Sequence, residues 1–260
     1  MTDRERADQL LVERGLFESR TRAQAAIAAG LVTANGIVLR KPSDRVAIDA
    51  VIEAAPEHPW VSRGGLKLCA ALDHFGFDPV GRACLDVGAS TGGFTDVLLQ
   101  RGAARVIAVD VGYGQLHPRL RADARVTVLE RTNVRALTEL PYSPDLVVCD
   151  VSFISVRTAL PPALRLAAPG WEAVVLVKPQ FEAGRGDVGK GGVVRDPEVR
   201  RRVVREVAEA ALAWQGRTAA AVDSGVPGPK GNREVFLHLV HDPHAALPDD
   251  IDDRIRDAVP

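Results

Sequence analysis

The sequence predicts a large α/β domain with a mostly parallel sheet, preceded by a small α+β module. Short runs of β-branched residues alternate with helical patterns from about residue 61 to residue 245. Such runs are typical of parallel strands that helices cover on both faces of the sheet. The chain has 260 residues and is 46% hydrophobic, which is enough for one such domain and one small module.

The first 60 residues contain two helical patterns followed by extended segments. Apolar residues between positions 10 and 17 fit one face of a helix, and a second helix is predicted over 22–29. The segment 32–38 predicts a strand, an Asn35-Gly36 turn and a second strand. Pro56 and Pro59 indicate a linker to the following domain.

Residues 84–95 form the most informative run, which predicts a buried strand, a glycine turn and a helix that starts near Gly93. Glycines at such a turn let the backbone pass close under a ligand. The next strand ends at Asp110, whose carboxylate suits the two hydroxyls of a ribose. The G-x-G-x-x-G turn of dinucleotide folds is absent, which argues against an NAD-dependent oxidoreductase. The run therefore predicts a nucleoside-cofactor site.

The later strands place polar residues at the same edge of the sheet. Ligands in parallel sheets bind at the carboxyl ends of the strands, where Asn133, Asp150 and Lys178 follow apolar runs. A long helix is predicted over 197–214. The glycine-rich segment 183–192 is expected to fold over the bound substrate and cofactor. Strands are predicted over 84–87, 105–109, 126–129, 145–149, 173–177, 219–222 and 235–240.

Composition argues against several other classes. The formal net charge is −1, so nucleic-acid binding must depend on local basic patches. The 3 cysteines lie far apart and the 6 histidines form no convincing ligand set, so no metal site is predicted. No signal-peptide core or apolar run of about 20 residues is apparent. We therefore expect a cytoplasmic location and no membrane partner.

The turn after the first strand resembles motif one of S-adenosylmethionine-dependent methyltransferases, with Asp86 leading Gly88, Gly92 and Gly93. The resemblance implies S-adenosylmethionine as cofactor and a Rossmann-like, seven-stranded class I methyltransferase domain. An acidic side chain such as that of Asp86 fits the positive charge of a sulfonium. The expected cofactor contacts are Asp86, Gly88, Ser90, Gly92, Gly93, Phe94, Asp110, Val111, Asn133 and Asp150.

Four charged residues are candidates for the chemistry. Taken singly, each has an ordinary explanation as a surface, capping or edge charge. In this order, beside a cofactor motif, they resemble the tetrad of FtsJ-like ribose 2′-O-methyltransferases, which implies catalytic roles for Lys67, Asp150, Lys178 and Glu234. Lys178 is expected to receive or steer the hydroxyl proton, with Asp150 orienting it.

The first module resembles the S-four-type RNA-binding domain of a ribosomal protein and of pseudouridine synthases. The matching residues include Ser19-Arg20, Gly30 and Asn35-Gly36. Acidic residues such as Glu13 balance the bases, so charge alone favours a solvated face, whereas the ordered matches favour RNA binding. Across the chain, the expected RNA contacts are Arg4, Arg6, Arg20, Arg22, Lys41, Arg63 and Lys190.

The whole chain, from Arg6 to about Leu239, is similar to the TlyA family of rRNA (cytidine-2′-O)-methyltransferases. The resemblance implies methylation of cytidine ribose in 16S or 23S rRNA within ribosomal subunits, and a monomer is favoured. Family members have also been described as haemolysins, so a membrane-active role is the alternative. The expected boundaries are an S-four-type domain over 1–58, a linker over 59–62 and an FtsJ-like domain over 63–260.

Overall fold

The computed structural model describes residues 3–17, 19–54, 58–228 and 230–259. The chain divides into two units, Met1–Pro59 and Trp60–Pro260. Each unit has a buried apolar core of its own: one cluster in the first unit, and two clusters in the second.

The described residues of the first unit form two helices and two small antiparallel sheets. The Asn35-Gly36 turn between β2 and β3 has φ values of 50° and 76°, which confirms the predicted hairpin. The second helix begins at Arg20, where Ser19 caps it by accepting a hydrogen bond from the backbone N–H of Arg22. The elements are β1 (Arg4–Arg6), α1 (Ala7–Glu13), α2 (Arg20–Ala28), β2 (Val32–Ala34), β3 (Ile37–Val38), β4 (Arg45–Ala47) and β5 (Ile52–Ala54).

The second unit alternates strands and helices along the chain, as predicted. Its elements are α3 (Arg63–Phe75), β6 (Ala83–Val87), α4 (Gly93–Gln100), β7 (Arg105–Val109), α5 (Pro118–Arg121), β8 (Val126–Leu129), β9 (Leu146–Cys149), α6 (Val156–Leu164), β10 (Glu172–Val177), α7 (Pro179–Glu182), α8 (Pro197–Leu212), β11 (Gly216–Asp223), β12 (Val235–His241) and α9 (Ile251–Ala258).

These strands form one seven-stranded sheet in the order β11-β12-β10-β9-β6-β7-β8. Neighbouring strands from β10 to β8 in this order run parallel, whereas β12 runs antiparallel to both β10 and β11. The predicted Rossmann-like α/β class is confirmed. Because β12 is reversed, its first residue, Val235, lies beside Val177 at the end of β10. The residues that precede β12 therefore lie at the edge where the parallel strands end.

Helices cover both faces of this sheet. One core cluster joins the sheet to α6, α8 and α9, and the other joins it to α3 and α4. The C-terminal α9 is rich in aspartate, yet it buries Ile251, Ile255 and Ala258. Burial of these residues at helical spacing explains why this acidic segment is ordered.

Candidate active site

The glycine turn after β6 forms a tight loop at the carboxyl edge of the sheet. Gly88 and Gly92 have φ values of 85° and 96°, and Ser90 between them has φ 49°. A Cβ atom on Gly88 would lie 2.8 Å from the carbonyl oxygen of Asp150, and one on Gly92 would overlap Leu120. A side chain at Gly88 or Gly92 would therefore collide with neighbouring protein atoms, whereas the contact of this loop with a ligand stays a prediction.

Asp86 lies in β6 directly under this loop and is fully buried. Its Oδ2 accepts hydrogen bonds from the backbone N–H and the hydroxyl of Thr95, at 2.9 and 2.7 Å. Its Oδ1 has no hydrogen-bond partner among the described residues. Burial raises the pKa of the Asp86 carboxyl to about 7. In this structure the side chain therefore serves the first turn of α4, and its expected contact with a sulfonium stays a prediction.

Asp110 follows β7 at the edge of the sheet and faces the same loop. Its Oδ2 accepts from the backbone N–H of Ser90 at 2.8 Å, and its Oδ1 accepts from that of Gly112 at 2.7 Å. Each carboxylate oxygen has about two acceptor positions, so both oxygens can accept a further hydrogen bond. The next residue, Val111, is 70% exposed and offers an apolar surface beside the carboxylate.

Two other predicted cofactor residues differ in their surroundings. Asn133 is exposed, and its Oδ1 accepts from the backbone N–H of Arg135, which starts a 3₁₀ turn. Phe94 is buried, and its ring lies 5.9 Å from that of Phe236. The Phe94 side chain thus belongs to the core between α4 and the sheet.

Lys178 and Asp150 form an ion pair at the ends of the neighbouring strands β10 and β9. The Lys178 Nζ lies 2.5 Å from the Asp150 Oδ1. It also donates a hydrogen bond to the Ser152 hydroxyl at 2.9 Å. Lys178 is mostly buried, whereas Asp150 and Ser152 are accessible. An ammonium group has three N–H donors, so one remains for a third partner.

A second, more buried ion pair joins Lys67 of α3 to Glu234, which directly precedes β12. The Lys67 Nζ lies 2.5 Å from the Glu234 Oε2, and the glutamate side chain is 1% exposed. Gln180, two residues after Lys178, donates to the other oxygen of Glu234 at 3.0 Å. The structure therefore brings the four predicted catalytic residues to one edge of the sheet as two ion pairs.

The bases expected to contact RNA in the first unit are not equivalent. Asp8 is fully buried and accepts hydrogen bonds from Arg6 at 3.0 Å and from Arg20 at 2.8 Å. Gln24 donates to it as well. The hydrogen bond from Arg6 is the largest cause that lowers the pKa of the Asp8 carboxyl. Arg6 and Arg20 thus hold a buried carboxylate, although the Arg20 side chain is itself half exposed, and Arg4, Arg22 and Lys41 are exposed.

The remaining expected RNA contacts lie in the second unit. Arg63 is exposed and donates to the Pro227 carbonyl at 3.2 Å. Lys190 is exposed in the glycine-rich segment, which is attached at its end by Asn232. The Asn232 side chain donates to the Gly192 carbonyl at 2.8 Å and accepts from the Val194 N–H at 3.0 Å. The closing role expected for this segment stays a prediction.

Phe153 is a candidate that sequence reasoning missed. Its side chain is 91% exposed, and its φ of 64° lies in the left-handed region that disfavours bulky residues. It follows Ser152, which contacts Lys178, and its ring lies 5.1 Å from that of Phe181. Strain and exposure together point to a role outside the core. The signal in the sequence is an aromatic residue in a polar segment just after a strand.

Comparisons with known proteins find a family match for each of the two units. The family model of FtsJ-like methyltransferases matches residues 60–241, and the S4 domain model matches residues 5–52. A relative from Mycobacterium tuberculosis, 16S/23S rRNA (cytidine-2′-O)-methyltransferase TlyA, is 51% identical over 245 residues. This match covers 92% of the present chain and 91% of the relative.

Two further relatives carry a different name. Hemolysin A of Brachyspira hyodysenteriae is 38% identical, over 90% of this chain and 99% of that protein. A solved structure from Streptococcus thermophilus, described as a hemolysin, is similar with a TM-score of 0.75 at 37% identity. The match covers 99% of this chain and 96% of the chain from Streptococcus thermophilus.

Proposed function

Because the chain belongs to the TlyA family of FtsJ-like methyltransferases, we propose that it methylates the ribose 2′-hydroxyl of cytidine in ribosomal RNA. The observation that carries the proposal is that two ion pairs, Lys178 with Asp150 and Lys67 with Glu234, lie at one edge of the sheet. A 2′-hydroxyl is a weak nucleophile whose proton must leave as it reacts. Paired lysines and carboxylates are groups that can move and hold such a proton.

The edge of the sheet beside these pairs fits S-adenosylmethionine. Asp110 keeps acceptor capacity on both oxygens for a ribose diol, and its two backbone donors fix its orientation. Along the chain, the Gly88 loop precedes Asp110 and the exposed Val111 follows it. When bound, S-adenosylmethionine supplies an electrophilic methyl group on a positively charged sulfur. The residues that hold it in this proposal are Gly88, Ser90, Asp110 and Val111.

Lys178 moves the hydroxyl proton in this proposal. Its ammonium forms an ion pair with Asp150 and donates a hydrogen bond to Ser152, and one further N–H can face the 2′-oxygen. Loss of this third proton to solvent leaves a neutral amine whose lone pair faces the hydroxyl and accepts its proton. Lys67 adds a second positive charge at this edge of the sheet, and Glu234 holds it in place.

The S4-like unit supplies RNA affinity. Exposed bases such as Lys41 and Arg4 suit phosphate oxygens, which position a protein on RNA without reading its sequence. The substrate we propose is ribosomal RNA within a ribosomal subunit, where the shape of the folded RNA adds selectivity.

A methyl-transfer assay tests the function. The full-length protein is incubated with methyl-labelled S-adenosylmethionine and, in separate reactions, with each ribosomal subunit and each naked rRNA. The RNA is then digested to nucleosides and analysed by mass spectrometry. We expect label in 2′-O-methylcytidine. Label in a base-methylated nucleoside, or no transfer to any of the four substrates, contradicts the proposal.

The cofactor is tested separately by calorimetry. Asp110→Ala removes the acceptors proposed for the ribose, so S-adenosylmethionine should bind more weakly by roughly 2–4 kcal/mol. The exposed acid Glu139 offers a control, because Glu139→Gln removes a charge from the same domain outside the loop. Equal affinity in the wild type and Asp110→Ala overturns this assignment.

A membrane-active role is the second candidate, because two relatives are named as hemolysins. Within the described residues, no helix is both long enough and apolar enough to cross a membrane. Release of a dye from phosphatidylcholine vesicles by micromolar protein tests the role directly. Leakage that survives Lys178→Ala would favour a membrane activity independent of methyl transfer.

A further inference from the structure

Two loops meet at the proposed reaction centre. One loop, residues 150–155, joins β9 to α6 and carries Asp150, Ser152 and Phe153. The other begins at Lys178 after β10 and continues through the short helix α7. Lys178 holds the beginning of the first loop through Asp150 and Ser152. The end of that loop, at Ser155, is held by a different residue.

Glu182, the last residue of α7, fastens the end of the loop. Its Oε2 accepts from the Ser155 hydroxyl at 2.5 Å, and its Oε1 accepts from the backbone N–H of Val156 at 2.6 Å. Arg157 donates to the same carboxylate at 3.3 Å and to the Glu182 carbonyl at 3.2 Å. The Glu182 side chain is 1% exposed. One buried carboxylate thus joins the two loops that carry the reacting residues.

A role limited to capping α6 does not require this arrangement. The Ser155 hydroxyl already caps the helix by accepting from the backbone N–H of Arg157 at 3.1 Å. Burying a carboxylate is costly unless hydrogen bonds and an opposite charge compensate it. Glu182 makes these bonds to a different element of the fold, so their consequence is a fixed distance between the loops.

We propose that Glu182 is a positioning residue for methyl transfer, which holds the 150–155 loop so that Ser152 and Phe153 face the substrate beside Lys178. This inference rests on the proposed function. Phe153 lies midway along a loop held at both ends, in a left-handed conformation that persists only where its surroundings enforce it. Release of one end lets the loop relax and moves the groups that contact RNA.

The chain offers a matched control for this residue. Glu206 of α8 also accepts from Arg157, at 3.2 Å, but among the described residues it accepts no hydrogen bond from the 150–155 loop. Glu182→Gln and Glu206→Gln each remove one negative charge beside the same arginine. Only Glu182→Gln disturbs the bonds to Ser155 and Val156. A difference between the two variants therefore reports on the loop and not on the charge of Arg157.

The experiment compares both variants with the wild type in the full-length protein. For Glu182→Gln we expect kcat/KM for ribosomal RNA to fall about tenfold to a hundredfold, the scale of a small misplacement of reacting groups. The KM for RNA should rise, and S-adenosylmethionine affinity should not change. Amide hydrogen exchange should quicken at Val156 and in the loop, whereas peptides of β6 and β7 should exchange as in the wild type. Glu206→Gln should resemble the wild type throughout.

Two outcomes overturn the inference, and a third refutes the proposed function on which it rests. Wild-type kcat/KM in Glu182→Gln, with faster exchange at Val156, shows that the loop is released without consequence and overturns it. A fall in S-adenosylmethionine affinity together with faster exchange across the sheet shows general destabilisation and also overturns it. Failure of the wild-type enzyme to methylate RNA would instead refute the proposed function, so the two failures are distinguishable.

Discussion

Lys67 and Glu234 lie 167 residues apart in the chain, yet the lysine Nζ is 2.5 Å from the glutamate Oε2 in a buried ion pair. The pair links α3, which precedes the sheet, to the start of its reversed strand β12. Two charges removed from water need each other and further hydrogen bonds, and Gln180 supplies one of these. The pair therefore has a structural role in addition to the catalytic role proposed for it.

Single and double substitutions at Lys67 and Glu234 separate these two roles. Lys67→Met alone leaves the Glu234 carboxylate buried without its cation, and we expect a loss of about 3–5 kcal/mol in the free energy of unfolding. In the double variant Lys67→Met with Glu234→Gln, both charges are gone, so most of that stability should return. Methyl transfer should not return. Denaturant unfolding and the transfer assay measure the two properties, and recovery of activity in the double variant refutes the catalytic role.

Substitution of Phe153 should preserve or raise stability but weaken RNA binding. Phe153→Gly removes a mostly exposed ring and relieves a left-handed conformation, so the melting temperature should stay equal or rise. RNA binding should weaken by about 1–3 kcal/mol if the ring stacks on a base. Thermal unfolding and an RNA-binding titration measure these effects. Unchanged affinity for RNA would show that the exposed ring has no part in substrate binding.

The raised pKa of Asp86 predicts that the stability of the fold depends on pH. Its pKa is raised to about 7 in the folded chain from an ordinary value near 3.8. The folded state therefore holds the proton more tightly, and this stabilisation is complete below about pH 4 and is lost as the pH rises through about 7. Asp86→Asn cannot titrate. Its unfolding free energy relative to the wild type should rise between pH 5 and pH 8, by at most about 1.4 kcal/mol per pH unit. A constant difference would contradict this.

The two kinds of base in the first unit should respond differently to substitution. Arg20→Gln removes a hydrogen bond to the buried Asp8, so it should cost about 1–3 kcal/mol of stability. Lys41→Gln should leave stability unchanged, because Lys41 is exposed. It should weaken RNA binding and reduce the salt dependence by about one phosphate contact. Hydrogen exchange within Met1–Pro59 and RNA titrations at several salt concentrations measure both. Equal loss of stability in the two variants would refute the distinction.

The strands and their polar ends were predictable because each rests on local pattern. Continuous apolar runs end at Asp110, Asp150 and Lys178, and the rule for parallel sheets places such ends together. The pairing of Lys178 with Asp150 followed from neighbouring strand ends. The family resemblance supplied the role of Lys67, since a single lysine on a helix carries no signal of its own.

Other features depend on contacts that no local pattern encodes. The helix α6 contains Pro161 and Pro162, which obscure a helical signal although apolar burial maintains the helix. The strain at Phe153 and the two donors to Glu182 appear only when two loops meet in space. The position of the glycine loop was predictable, but the close approach of the Gly88 backbone to the Asp150 carbonyl was not, because that carbonyl belongs to a different strand end.

The rate of methyl transfer by Lys178→Ala tests the central claim most directly. In single-turnover reactions with ribosomal subunits, S-adenosylmethionine and RNA should bind as in the wild type. The transfer step should slow by at least about a hundredfold, within the range of general acid–base contributions. Lys178→Arg should not restore the rate, because a guanidinium does not release its proton usefully. A residual rate above about one hundredth of the wild type, with intact binding, would contradict the role of Lys178 in moving the hydroxyl proton.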